Sequence, residues 1–118
     1  RRLLSLIKSS NKKNKIFYLN NPDQKIDFLH VSDFSRALFK VVSAKTKKKF
    51  SLYKLCYGNK YKLAEIFKNF EYVKIRKKNS QLKKINYNIL GYNKFNIDYN
   101  WKPQIKFSKG INDFFKNI

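Results

Sequence analysis

Apolar and polar positions change period several times along this chain, and each change marks an element. Between Lys25 and Val42 the switch is sharpest. Ile26 to Val31 is a short apolar run broken only by Asp27 and His30, which predicts a strand. From Phe34 the apolar residues fall at Phe34, Ala37, Leu38, Val41 and Val42, the spacing of one helical face. Ser32 or Asp33 stands where a side-chain oxygen accepts a first-turn N–H, so the pattern places the helix N-cap there. A strand, a cap and a helix in this order form a building block of α/β proteins.

The flanking segments extend the alternation. Leu3, Leu4 and Ile7 predict a helix over 1–10, and Asn11 to Asn14 a polar turn. Ile16 to Leu19 reads as a short strand closed by the turn cluster Asn20-Asn21-Pro22-Asp23. The aromatic alternation of Phe50 to Tyr57 predicts a strand ended by Gly58-Asn59. Leu63, Ile66, Phe67 and Phe70 predict a one-faced helix over 62–70, and Tyr72 to Ile75 another strand. The stretch 80–90 starts polar and reads as a loop; 92–99 reads as a short helix. Pro103 disfavours the helical conformation for Lys102 and lacks a donor, so helix cannot continue through it. Ser108 is placed to cap a last helix over 109–117, with Ile111, Phe114 and Phe115 on one face. No internal repeat or Gly/Ser linker appears, so the expectation is one domain over 1–118, with short strands alternating with helices.

A chain of 118 residues with 42% hydrophobic content can bury a usable core and is not composed like a disordered tail. No apolar run reaches bilayer-spanning length. The opening Arg-Arg-Leu-Leu-Ser-Leu-Ile-Lys is too short for a secretory leader and is interrupted by Lys8, so the expected location is the cytoplasm. Cys56 is the single cysteine and His30 the single histidine, which excludes an internal disulfide and predicts no protein-held metal. The net charge of +21 suggests a small basic nucleic-acid-binding module, with aromatic rings stacking on bases. Against that, the charge is mostly Lys, which lacks the bidentate fork of Arg, and it is spread along the chain. Asn, Ile, Phe and Tyr are enriched with it. All share A/T-rich codons, so drift of solvated positions explains the excess, and no specific nucleic-acid partner is expected. Only 45–49 and 76–78 are dense enough to be patches.

Three collinear segments carry a resemblance. Asp27-Phe28-Leu29-His30-Val31-Ser32-Asp33-Phe34-Ser35-Arg36-Ala37-Leu38 resembles a signature in the C-terminal half of extended short-chain dehydrogenases, the NAD-dependent epimerase/dehydratase family. Tyr53 to Gly58 and the helix after it are similar to that family's next strand and helix. Asn100-Trp101-Lys102-Pro103-Gln104-Ile105, running on to Gly110-Ile111, resembles its closing Trp-x-Pro segment. Lys94 falls where the family has a lysine ahead of that tryptophan.

The resemblance implies the C-terminal, substrate-binding portion of a Rossmann-type α/β enzyme, with the dinucleotide-binding half missing. It implies a sugar or nucleotide-sugar substrate, with epimerisation, dehydration and reduction all open, and an inactive fragment as the alternative. It also implies NAD(P) for the full-length family, no cofactor bound by this chain alone, and a full-length protein able to pair as a homodimer. The family's Gly-rich turn and its Tyr-x-x-x-Lys are absent. Gly58, Gly91 and Gly110 are far apart, Tyr57 is followed by Lys60 one position too early, and Tyr18 and Tyr87 are followed by Pro22 and Gly91 at the lysine position. No catalytic residue is therefore assigned. The substrate-binding candidates are Asn20, Lys25, Asp27 and His30. Asn20 lies in the turn matching a substrate-facing loop. Ile26 stands where the family holds a diphosphate with Arg, and Lys25 beside it substitutes only a point charge. A second family arginine would fall near Gln81. Asp27 matches a family aspartate expected to fix backbone, His30 reads as a satisfied strand histidine, and Trp101 as a core anchor.

Overall fold

The computed structural model describes residues 3–46, 49–68, 70–76 and 92–116. The predicted loop at 80–90, Gln81, Lys47, Lys48, Lys77 and Lys78 lie outside them. The chain divides into two compact units, Arg1–Ile26 with Lys60–Asn86 and Phe115–Ile118, and Asp27–Asn59 with Tyr87–Phe114.

The first unit opens with α1, Leu3–Lys12, whose single fully buried residue is Ile7. Asn14 ends it in the left-handed region, at φ 50°. Its N–H bonds the Asn11 carbonyl at 3.0 Å and the Lys15 N–H bonds the Ser10 carbonyl at 2.9 Å, which together satisfy carbonyls that the helix end would leave orphaned. The chain then enters β1, Phe17–Leu19, which pairs in parallel with β4, Val73–Ile75, in the register Phe17 to Val73. β2, Lys25–Ile26, pairs antiparallel with β3, Tyr61–Lys62. β3 runs straight into α3, Leu63–Phe67, whose Leu63 and Phe67 are buried. The Leu63 and Ala64 N–H groups, unpaired within so short a helix, bond the Gln24 and Pro22 carbonyls at 3.0 and 2.9 Å. Phe70 stacks its ring on Phe67 at 5.4 Å and on Phe115 at 4.7 Å. α3 is thus five residues, not the nine predicted, because Phe70 reaches this contact from a turn.

The second unit is organised on α2, Val31–Ser43, α4, Tyr92–Tyr99, and α5, Phe107–Lys116, the last belonging to this unit up to Phe114. α4 ends as α1 does. Asn100 sits at φ 45°, and the Trp101 N–H bonds the Asn96 carbonyl at 3.2 Å. This turns Trp101 back onto its own helix, ring against Phe95 at 5.5 Å. Ala37, Phe95 and Trp101 form the core, with Leu29, Tyr53, Leu55 and Tyr99 packed on it. Tyr53 meets Phe95 and Tyr99 edge-on at 5.3 and 5.5 Å. Each such ring pair contributes about 0.5–1.5 kcal/mol beyond burial.

Four sequence expectations, two strands and two helix caps, are corrected here. The strand expected over 26–31 stops at Ile26, and α2 begins at Val31. Its cap is His30, whose Nδ1 accepts the Ser32 N–H at 3.2 Å, so neither Ser32 nor Asp33 caps it. Phe50 to Tyr57 is not a strand. Tyr53 and Leu55 are half-buried and Lys54 between them exposed, but Cys56 and Tyr57 are both half-buried, and no described strand pairs with the segment. α5 starts at Phe107, which places Ser108 inside its first turn; Phe107 stacks on Phe28 at 5.7 Å. Among the described residues no helix is long and apolar enough to cross a membrane.

Candidate functional site

The four sequence candidates fall in both units. Asn20 and Lys25 are exposed in the first, Lys25 on β2 opposite Lys62, and Ile26 beside it is half-buried opposite Tyr61. Asp27 and His30 belong to the second. Asp27 accepts the Tyr57 N–H on Oδ1 at 2.9 Å and the Gly58 N–H on Oδ2 at 2.8 Å. The carboxylate thereby ties off the segment after Leu55. Gly58 holds φ 97° there, a conformation that a side chain would strain. The His30 ring is engaged twice: it caps α2, and its Cδ2 lies 3.0 Å from where a Cβ on Gly110 would be. A side chain at 110 would require the ring to give way by a few tenths of an ångström. Burial, followed by the Asp27 charge, pushes the nearby Cys56 thiol up, so Cys56 stays protonated at neutral pH.

A residue not singled out as a candidate has the densest polar environment. Asp33 is fully buried, and its Oδ1 and Oδ2 accept the Gln104 and Ile105 N–H groups, each at 3.1 Å. Arg36, one turn on, pairs with Oδ1 and also donates to the Lys102 carbonyl at 3.2 Å. Burial pushes the Asp33 carboxyl up. The Arg36 bond, the two amide bonds and the Arg36 charge more than offset it, and the net direction is down. One buried carboxylate therefore clamps the Trp-x-Pro segment to the first turn of α2. The signal was in the sequence as the Asp33 to Arg36 spacing, but the distant amides were not.

Beside this clamp are two adjoining depressions of about 380 and 440 Å³, both lined by Arg36, Lys40 and Trp101; the larger is also lined by Asn96, Lys102 and Gln104. Trp101 Nε1 and Asn96 Oδ1 are buried without a hydrogen-bond partner among the described residues. Each such group costs about 1–3 kcal/mol relative to a bonded one. The Tyr53 hydroxyl donates to Asp98 Oδ2 at 2.6 Å, and this bond, aided by burial and the Asp98 charge, raises the phenol to about 12. Asp98→Asn is expected to bring the Tyr53 titration back toward 10, read by ultraviolet difference spectroscopy; an unmoved titration would show the bond absent in solution.

Among the described residues, no strand leads into a helix through a glycine turn. A pyrophosphate needs a glycine turn between a strand and a helix N-terminus. Here β1 is followed by Asn20-Asn21-Pro22, β3 enters the short α3 with no intervening residue, and α2 carries His30 and Val31 at its start.

No protein-family profile matches this chain, and neither does any curated protein. Solved structures do. The chain is similar to a dTDP-glucose 4,6-dehydratase from Bacillus anthracis in complex with NAD, at a TM-score of 0.72 and 17% identity, over 98% of this chain and 38% of that one. It is also similar to RMD from Pseudomonas aeruginosa complexed with NADPH, at 0.61 and 17%, over 98% of this chain and 40% of that one. Both are extended short-chain dehydrogenases of the NAD-dependent epimerase/dehydratase family, the resemblance read from the sequence. The chain has the mixed α/β fold of part of these enzymes and spans about two fifths of their length.

Proposed function

We propose that this chain is the substrate-binding portion of an NAD(P)-dependent enzyme acting on a sugar or nucleotide-sugar, and that its dinucleotide-binding and catalytic half is a further stretch of polypeptide. The observation that carries the reading is the outer face of α2. Val31, Phe34, Leu38, Val41 and Val42 repeat at helical spacing, yet all are exposed, Val42 to 84%. A soluble helix hides such a stripe. Phe50 and Leu52, at 82% and 77% exposure, add apolar surface from a segment that reads as a strand in the sequence and has no ladder. A sheet that lends this segment a neighbour, with α2 packed on its face, satisfies both at once. The fold likeness supports the same conclusion, since the two enzymes extend well beyond the matched part and carry a nicotinamide dinucleotide.

In this reading the chain contributes no acid, base or hydride step. Asn20 and Lys25, exposed in the first unit, are the candidates for direct substrate contact; Asp27 and His30, in the second, act only through the backbone they hold. Ile26 in place of an arginine weakens the hold on a diphosphate, because a lysine offers no planar fork.

The coding sequence upstream of Arg1 tests the proposal. A G-x-x-G-x-x-G and a Tyr-x-x-x-Lys are expected in the same frame, and the protein including them is expected to bind NAD(P) and turn over a nucleotide-sugar. The 118-residue chain alone is expected to do neither. Val42→Asp is expected to leave the stability of this chain within about 0.5 kcal/mol and to lower turnover of the longer protein. Binding of NAD by the 118 residues, or an upstream frame with neither motif, would overturn it.

A further inference from the structure

We propose that His30 is a proton-controlled latch on α2: neutral, its ring holds the first turn of the helix, and protonated at Nδ1 it lets that turn go. His30 stands in extended backbone, at φ −70° and ψ 142°, and its carbonyl accepts the Phe34 N–H at 3.1 Å. Its Nδ1 accepts the Ser32 N–H at 3.2 Å. A ring nitrogen that accepts carries no proton, so this bond selects the neutral imidazole with its hydrogen on Nε2. Helix caps are ordinarily Ser, Thr, Asp or Asn, whose oxygens go on accepting at mildly acidic pH. Imidazole differs, because protonation turns its acceptor into a donor, and histidine is the side chain that changes charge between about pH 5 and 8.

Two consequences of the proton act in the same direction. Nδ1–H and the Ser32 N–H become two donors facing each other, and the bond is lost. The imidazolium also stands at the positive end of a 13-residue helix, where a cation is disfavoured. The charged groups around the ring do not reverse this. On α2, Asp33 is committed to Arg36 and to the Gln104 and Ile105 amides. On the segment before it, Asp27 is committed to the Tyr57 and Gly58 amides. On α5, which meets the ring at Gly110, Lys106 and Asp113 lie about one turn to either side with opposite charges, and Lys109 is exposed. The Asp33 carboxyl is held below its ordinary range and stays ionised as the ring gains its proton, so the release is confined to the turn ahead of the clamp. The latch concerns the helix itself and does not depend on the function proposed above.

His30 is the only histidine, so its ring signals are unambiguous in a nuclear magnetic resonance titration. The 118-residue chain is followed from about pH 8 to about pH 5. The Ser32 amide is read by its chemical shift and by its exchange protection factor, which already allows for the intrinsic pH dependence of exchange. The shift is expected to move with the His30 ring, and the protection to fall about fivefold, the equilibrium worth of one helix cap. His30→Asn supplies a cap oxygen that does not titrate and is expected to keep Ser32 protected over the same range. Protection at Ser32 that stays level while the His30 ring titrates, or that falls equally in His30→Asn, would overturn the proposal.

Discussion

Asp33→Ala is expected to cost about 1–3 kcal/mol, the effect of taking a buried acceptor away from the donors it bonds. Three groups lose their acceptor together: the Arg36 guanidinium and the Gln104 and Ile105 amides. The loss is large against the roughly 5–15 kcal/mol that holds an ordinary domain folded. Urea unfolding followed by Trp101 emission measures it, because Trp101 lies directly ahead of the clamped segment. Asp33→Asn keeps the shape and one acceptor oxygen and is expected to fall between the variant and the parent. A midpoint unchanged in Asp33→Ala would mean that the clamp does not form.

The same carboxylate sets a pH dependence with a definite sign. Its folded pKa lies below the ordinary value of 3.8. The folded state therefore binds the proton less readily than the unfolded chain does, and the stabilisation is complete above the unfolded pKa. It is lost as pH falls below about 4 and through the folded pKa. Stability of the parent is expected to decline over that window, and the decline is expected to be shallower in Asp33→Asn, which has nothing to titrate there. Parallel curves for the two proteins would contradict the assignment.

The second large effect is expected from Phe95→Ala. Phe95 is 2% exposed and its ring meets those of Tyr53, Tyr99 and Trp101 at 5.3, 4.7 and 5.5 Å. Truncation leaves a cavity that three aromatic rings cannot close without leaving their rotamers, so a cost of about 3–5 kcal/mol is expected. Trp101 emission should shift to the red in the same variant as water reaches the indole. A stable protein with unshifted emission would place Phe95 outside the core.

Several features were legible before any coordinates. Leu3 to Ile7, Phe34 to Val42 and Ile111 to Phe114 lie in helices at the expected period, because helical periodicity is a property of a few neighbouring residues. The α/β class and the resemblance follow from the order of such segments, and the missing glycine turn is a plain absence from the sequence. The Asn14 and Asn100 helix stops were also readable in principle, as Asn tolerates the left-handed region.

Other features depended on partners far along the chain. The sequence offered Ser32 and Asp33 as caps with equal local merit. Asp33 is instead buried, because Gln104 and Ile105, 71 and 72 residues away, present N–H groups to it, and His30 takes the cap. Phe50 to Tyr57 alternates like a strand, but a strand exists only where another backbone completes its ladder. The orphaned nitrogen of Trp101 and the uncovered face of α2 were likewise invisible to periodicity, which predicts that a residue is apolar and not what covers it. Local sequence determined most of the helices and the α/β class. The polar clamp at Asp33, the cap at His30 and the exposed apolar face of α2 were decided in three dimensions, where desolvation forces buried polar groups to find partners that lie far along the chain.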